Sequence, residues 1–136
     1  MLSKHPERCK YPHGHTRTIE VVVSGESLDT HGMLVDFKAL RLALQDHIDR
    51  YDHSMAVNSK DPLLPTLRDL YASDAIVIFE DAEPTTEAIA REIYDFVEQI
   101  LREGFENGPY IIPPGLVTVD RIRVWETPSS WAEYGS

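Results

Sequence analysis

Residues 9–24, CKYPHGHTRTIEVVVS, join a group of potentially reactive side chains to a predicted strand. Residues 16–24 alternate well enough between apolar and polar side chains to predict a β-strand, which has a period of two. Its apolar face comprises Ile19, Val21 and Val23. His13 and His15 stand two residues apart at the head of this strand, so their side chains point to the same face. If the alternation continues, that face is also the apolar one.

Two imidazoles on one face can reach a single metal ion, and imidazole pairs in an apolar wall suit zinc. The alternative is a surface turn that binds nothing, because two histidines alone do not make a metal site. Cys9 also has two interpretations. It is either a reactive thiol or a small buried apolar residue.

Composition excludes several functional classes. The chain has 136 residues, which predicts a single domain over 1–136. Its formal net charge of −10 argues against a nucleic-acid-binding surface and against docking on anionic membranes. The first residues contain no apolar stretch typical of a signal peptide. The single cysteine cannot form an internal disulfide, which suits a reducing cytoplasm.

The first half of the chain predicts two helices between short strands. Residues 32–35 predict a second strand, and Asp36 is placed to cap a helix whose apolar positions follow at helical spacing. Those positions are Phe37, Leu40, Leu44 and Ile48. Pro62 predicts the start of a short helix, and residues 75–79 predict a buried strand.

The second half predicts one long helix and two strands. Thr85 or Thr86 is expected to cap the helix, and Gly104 is expected to end it. A loop over residues 107–115 should follow, because this stretch is rich in glycine and proline. The strands are expected at residues 116–126 and 131–134. Strands and helices in this order, with antiparallel pairing, indicate the α+β class.

Two further groups of polar residues are candidates for a site. Asp52 and His53 follow a predicted helix end and could pair a general base with a carboxylate; the alternative is a solvated loop. Glu126 ends the apolar face of the long strand. A carboxylate there can accept two parallel N–H donors, such as the ring N–H and exocyclic amine of a pterin or guanine. The alternative is that Glu126 is a solvent-exposed residue at the end of a strand and binds nothing.

Taken together, five segments resemble the 6-pyruvoyltetrahydropterin synthase superfamily. They are CxxxHGH at Cys9–His15, GMLVDF at Gly32–Phe37, DH at Asp52-His53, PTTE at Pro84–Glu87 and WET at Trp125–Thr127. Each motif is weak alone, but the five occur in the family's order and span nearly the whole chain. The resemblance implies a tunnelling fold, an antiparallel sheet with helices packed on one face. It also implies trimeric rings that stack into a homo-oligomer, expected to be a hexamer, with active sites shared between neighbouring subunits.

The resemblance also implies roles for eight residues. The implied ligands of a Zn²⁺ cofactor are His13 and His15. The implied catalytic residues are the thiol of Cys9, the relay pair Asp52 and His53, and the pterin anchor Glu126. The residues implied to bind the pterin substrate are Glu126, Thr85 and Thr86.

The short spacing between Cys9 and the HGH motif is most similar to the bacterial branch of the family that serves queuosine biosynthesis. That branch converts 7,8-dihydroneopterin triphosphate to 6-carboxy-5,6,7,8-tetrahydropterin and releases acetaldehyde and triphosphate. The resemblance therefore implies a zinc-dependent lyase of this type. The alternatives are a 6-pyruvoyltetrahydropterin synthase and a truncated, non-catalytic pterin-binding homologue.

One departure from the family pattern concerns the third zinc ligand. The family supplies it as a histidine from a first strand before the cysteine, and we predict that this strand is missing here. His5 is the one histidine upstream of Cys9. Truncation, a misplaced start codon and substitution by His5 remain open. Residues 60–81 are expected to add a helix and a strand beyond the shortest family members.

Overall fold

The protein is described by a computed structural model covering residues 1–136. The strands are β1 (Thr18–Ser24), β2 (Met55–Asn58), β3 (Ile76–Phe79), β4 (Phe105–Asn107), β5 (Tyr110–Ile112), β6 (Thr118–Thr127) and β7 (Ser130–Gly135). The helices are α1 (Phe37–Asp49), α2 (Leu64–Leu70) and α3 (Thr86–Glu103). No helix is long and apolar enough to cross a membrane.

The main sheet has three antiparallel strands in the order β1-β6-β7. In its register Ile19 lies opposite Val124, and Val21 lies opposite Ile122. Val124 and Ile122 are fully buried. The alternation seen in the sequence therefore places one apolar face of each strand in the core, as predicted.

Helix α3 covers that apolar face and contacts both β6 and β7. Its stripe is almost fully buried at Ile89, Ile93, Val97 and Leu101. Thr85 caps the helix, and its hydroxyl accepts a hydrogen bond from the backbone N–H of Ala88 at 3.1 Å. Gly104 ends it with a φ of 81°, in the left-handed region that favours glycine. The predicted packing of helix on antiparallel sheet is confirmed.

Helix α1 begins as predicted at Asp36, whose carboxylate accepts hydrogen bonds from the backbone N–H groups of Lys38 and Ala39. Its predicted apolar stripe is only partly correct. Leu44 is buried, but the side chain of Phe37 is 85% exposed. Phe37 is the first residue of the helix, and there it lies outside the face that packs on the core.

The predicted strand at residues 32–35 is wrong. The preceding residues form a turn in which Asp29 Oδ1 accepts from the backbone N–H groups of His31 and Met33, at 2.8 and 2.9 Å. A short acidic side chain that bonds its own backbone in this way competes with strand pairing.

The structure contains two small two-stranded sheets that the sequence did not predict. β2 pairs with β3 in parallel, whereas the sequence suggested antiparallel pairing and gave no strand at β2. Residues 107–115, predicted as a loop, include β5, which forms a hairpin with β4. The extra helix and strand expected within residues 60–81 are present as α2 and β3. The proline in the first turn of α2 is Pro65, not Pro62.

No strand precedes β1, and residues 1–17 contain only a 3₁₀ turn at Arg8–Lys10. Contacts with two distant parts of the chain hold this segment in place. The backbone N–H and hydroxyl of Ser3 both donate to the carboxylate of Glu83. The N-terminal amine of Met1 donates to the carbonyl of Ala56 at 3.5 Å. Within the segment, the N–H of Leu2 donates to the carbonyl of Cys9 at 2.7 Å. The segment therefore joins the Cys9 turn to the loop that leads into α3.

Candidate active site

One cavity of about 750 Å³ lies where the head of β1, the end of β6 and the start of α3 meet. Its walls include every residue that the sequence singled out as a candidate. These are Cys9, His13, His15, Asp52, His53, Thr85, Thr86 and Glu126. They come from segments more than 100 residues apart in the chain, and the fold brings them to one place.

The two histidines of the HGH motif share one side of the cavity. Their ring centroids are 4.9 Å apart with nearly perpendicular planes. His13 Nδ1 lies 2.6 Å from the carbonyl of Tyr11 and is placed to donate to it, which leaves Nε2 free. Burial lowers the pKa of His15, and the nearby carboxylate of Glu126 opposes that shift. Neutral imidazoles with a free nitrogen can act as ligands or accept protons.

Glu126 sits at an irregularity in the sheet. The pairing between β6 and β7 shifts register between Trp125 and Thr127, so Glu126 has no partner on β7. Bulges of this kind re-aim a side chain and often lie beside functional sites. Thr86 donates its hydroxyl to Glu126 Oε1 at 3.1 Å, and His15 Nε2 lies 3.3 Å from the same oxygen.

The two threonines of the PTTE motif have different roles. The hydroxyl of Thr85 caps α3, whereas that of Thr86 holds the Glu126 carboxylate in the cavity. Both stand at the N-terminus of α3, where the helix dipole favours negative charge. The sequence predicted that one of the two caps the helix and suggested that both could serve a ligand, and the structure assigns the cap to Thr85.

Asp52 and His53 contact each other directly. Asp52 Oδ1 lies 2.7 Å from His53 Nδ1, and both side chains are largely exposed. His53 has a φ of 52°, a left-handed conformation that is uncommon outside glycine. The carboxylate fixes Nδ1 as the donor, so Nε2 is available as a base.

Cys9 lies in the 3₁₀ turn Arg8–Lys10 at another edge of the cavity. Its thiol is free and half-buried. The turn is held by the hydrogen bond from Leu2 described above. Cys9 is therefore accessible to a molecule in the cavity.

The residues present do not complete a metal centre. No group of three or more His, Cys, Asp or Glu side chains is arranged to hold a metal ion. His5 does not line the cavity, and its Nδ1 accepts from the backbone N–H of Glu7 at 3.1 Å. A catalytic zinc takes three protein ligands and one open position. His13 and His15 would supply two of the three.

Arg17 and Tyr51 are among the cavity-wall residues that sequence reasoning did not single out. Arg17 has the same parity as His15 and Ile19, so the alternation that placed the histidines could also have placed it. Burial lowers the pKa of Arg17, and Glu126 opposes the shift. Tyr51 donates to Glu92 Oε2 at 2.7 Å.

The same carboxylate of Glu92 also contacts His47 on α1. His47 Nε2 lies 2.7 Å from Glu92 Oε1, and its side chain is only 12% exposed. Its ring stacks on Phe96 at 3.7 Å between centroids. This cluster joins α1 to α3 behind the cavity wall.

Two named relatives align with most of this chain at about one third identity. A protein of Aquifex aeolicus, 6-carboxy-5,6,7,8-tetrahydropterin synthase, is 35% identical over 133 residues, which is 96% of this chain and 78% of the relative. The protein of the same name from Bacillus subtilis is 33% identical over 126 residues, or 93% of this chain and 69% of the relative.

Solved structures support the fold. An uncharacterised protein of Wolinella succinogenes superposes with a TM-score of 0.66 at 23% identity, covering 94% of this chain and 81% of that one. The 6-pyruvoyl tetrahydropterin synthase of Plasmodium vivax gives 0.62 at 16% identity, covering 90% and 79%. The chain therefore has the tunnelling fold that the sequence predicted. The model of the family described as 6-pyruvoyl tetrahydropterin synthase matches residues 1–136, and the chain belongs to that family.

Proposed function

We propose that the protein is a 6-carboxy-5,6,7,8-tetrahydropterin synthase of queuosine (7-deazaguanine) biosynthesis. Its substrate would be 7,8-dihydroneopterin triphosphate, and acetaldehyde and triphosphate would be released. The observation that carries the proposal is the meeting of all eight motif residues in one cavity. The names of the relatives from Aquifex and Bacillus support it.

In this proposal Glu126 anchors the pterin ring. Its carboxylate accepts from the ring N–H and the exocyclic amine, a paired and charge-assisted contact. Thr86 and the register irregularity hold the carboxylate in place before the substrate arrives. Anchoring one edge of the ring orients the side-chain carbons at its other end toward the reactive groups.

Proton transfers are assigned to Cys9 and to the Asp52–His53 pair. The Cys9 thiolate would take a proton from substrate carbon near the ring, and His53 would move protons through its free Nε2. Asp52 keeps His53 in the required tautomer through the 2.7 Å contact. We place the reaction in the cytoplasm, where reducing conditions keep a lone thiol free.

The direct test is product analysis. Purified protein is incubated with 7,8-dihydroneopterin triphosphate and zinc, and acetaldehyde and the pterin product are measured. We expect acetaldehyde and 6-carboxytetrahydropterin. Loss of triphosphate without acetaldehyde would indicate a 6-pyruvoyltetrahydropterin synthase instead, and no turnover would indicate a pterin-binding homologue.

Zinc is the proposed cofactor, with His13 and His15 as two of its ligands. Because the chain offers no third ligand beside them, we expect capture to be weak. After dialysis against metal-free buffer, the protein should hold well under one zinc ion per chain, as measured by elemental analysis. The double variant with His13→Ala and His15→Ala should hold none. Full occupancy after dialysis would show that a further residue completes the site.

We also propose a trimer-based homo-oligomer, with a hexamer as the expected form. The main sheet ends at β1 and β7, whose outer edges carry unpaired backbone N–H and C=O groups. Pairing of these edges between copies would satisfy them and would close the sheet. Light scattering at micromolar concentration should give about six times the 15.5 kDa chain mass. A monomer under these conditions would contradict this assembly.

A further inference from the structure

Arg17 and Glu126 face each other across the main sheet but do not bind each other. The antiparallel register pairs Thr18 with Trp125. Arg17, which directly precedes β1, and Glu126, which follows Trp125 on β6, are therefore at adjacent cross-strand positions. Both line the cavity. Opposite charges at such positions would ordinarily form an ion pair. The contacts of Glu126 are instead with His15 and Thr86.

The guanidinium of Arg17 is left with unused donors. Its Nε is sealed from water and has no hydrogen-bond partner. A buried donor without a hydrogen-bond partner lowers the stability of the fold, and the cost is larger for a charged group. Each such group in a folded protein therefore calls for an explanation. The Nη groups at the end of the same guanidinium also make no hydrogen bond within the protein, and they are the donors that an acceptor in the cavity would meet.

Glu126 likewise has acceptor sites that no group in the protein uses. Thr86 and His15 both approach Oε1, which leaves the two lone pairs of Oε2 for a ligand. The wall therefore presents a carboxylate acceptor and a guanidinium donor from adjacent cross-strand positions. The complementary molecule has two N–H donors next to one acceptor along a single edge.

A 2-amino-4-oxo pyrimidine ring has this edge, with an amine, a ring N–H and a carbonyl in a row. We propose that Arg17 donates to the 4-carbonyl oxygen of the pterin ring while Glu126 accepts from the ring N–H and the amine. This inference rests on the proposed function and adds to it a residue that selects the substrate. Arg17 makes the site prefer a 4-oxo ring, because the N–H donors of a 4-amino group would face the N–H donors of the Arg17 guanidinium.

A role for Arg17 in binding the triphosphate is less consistent with its surroundings. A phosphate on Arg17 would lie beside the carboxylate of Glu126, and like charges in a partly buried wall repel. The carbonyl of a neutral ring carries no such penalty.

The test compares two ligands with the same side chain, 6-hydroxymethylpterin and 2,4-diamino-6-(hydroxymethyl)pteridine, titrated by their own fluorescence. Arg17→Met keeps the length of the side chain but removes its donors, and Arg17→Lys restores a donor. Arg102→Met is the control, because the Arg102 side chain is 71% exposed at the far end of α3. Melting temperatures establish that each variant is folded.

We expect Arg17→Met to weaken binding of the 4-oxo ligand by about 10- to 100-fold, the range of a hydrogen bond to a charged group. Its binding of the 4-amino ligand should stay the same or improve, and Arg17→Lys should recover part of the 4-oxo affinity. Equal losses for both ligands, or no loss, with pterin binding intact in the unaltered protein, would overturn the role of Arg17 alone. Failure of the unaltered protein to bind either ligand would overturn the proposed function as well.

Discussion

Replacing Cys9 by alanine should abolish acetaldehyde formation while leaving the protein folded. Proton transfer by a positioned side chain is worth about 10²–10⁴-fold in rate, and alanine cannot transfer a proton. The structural cost should be small because the thiol is free and only half-buried in a short turn. The measurement is the rate of acetaldehyde release at saturating substrate, with the melting temperature recorded beside it.

Cys9→Ser serves as the matched control for shape. Its hydroxyl has nearly the size of the thiol but does not ionise near neutral pH, so we expect it to be almost as inactive as alanine. Pterin binding should survive in both variants, because the proposed anchor of the ring is Glu126 and not Cys9. Turnover within a few-fold of the unaltered protein would remove Cys9 from the mechanism.

Sequence patterns predicted the elements whose signals are local. Asp36 and Thr85 cap helices, and Gly104 ends one, because caps depend on a few adjacent residues. The strands β1 and β6 were predicted from alternation, which depends on burial of one face. Antiparallel pairing was expected from the order of the elements, and β1 and β6 do pair in this way.

Features that depend on distant partners were harder to predict. The four residues of β2 form a strand because β3 lies beside them in parallel, and nothing local in the sequence signals that pairing. The hairpin of β4 and β5 lies around a Gly-Pro segment that predicted only a loop. Residues 32–35 do not form the predicted strand, because the Asp29 side chain accepts hydrogen bonds from the backbone N–H groups of the turn before them.

Within the site, residue types were predictable but contacts were not. The motifs indicated His15, Thr86 and Glu126 separately, yet no pattern showed that all three meet at one carboxylate oxygen. Arg17 was overlooked because an arginine in a strand is ordinarily a solvated residue. Only the fold shows that its Nε is sealed in the cavity wall.

Replacing Glu126 by glutamine tests the anchor of the ring. The variant keeps the shape of the side chain but turns one acceptor into a donor that faces the N–H edge of the pterin. We expect a loss of about 2–5 kcal/mol in transition-state binding, the scale for unpairing a buried charged hydrogen bond. The measurement is kcat/KM for acetaldehyde release, together with the dissociation constant of 6-hydroxymethylpterin.

Glu20→Gln provides the control for charge on the same sheet, since Glu20 lies on β1 outside the cavity and is 46% exposed. It should change kcat/KM less than about two-fold, because exposed charges on a surface contribute little. Thr86→Val should give a smaller loss than Glu126→Gln, because it frees the carboxylate without removing it. If Glu126→Gln left both kcat/KM and pterin affinity unchanged, the carboxylate would face solvent during catalysis. The ring would then have to be held by other groups in the cavity.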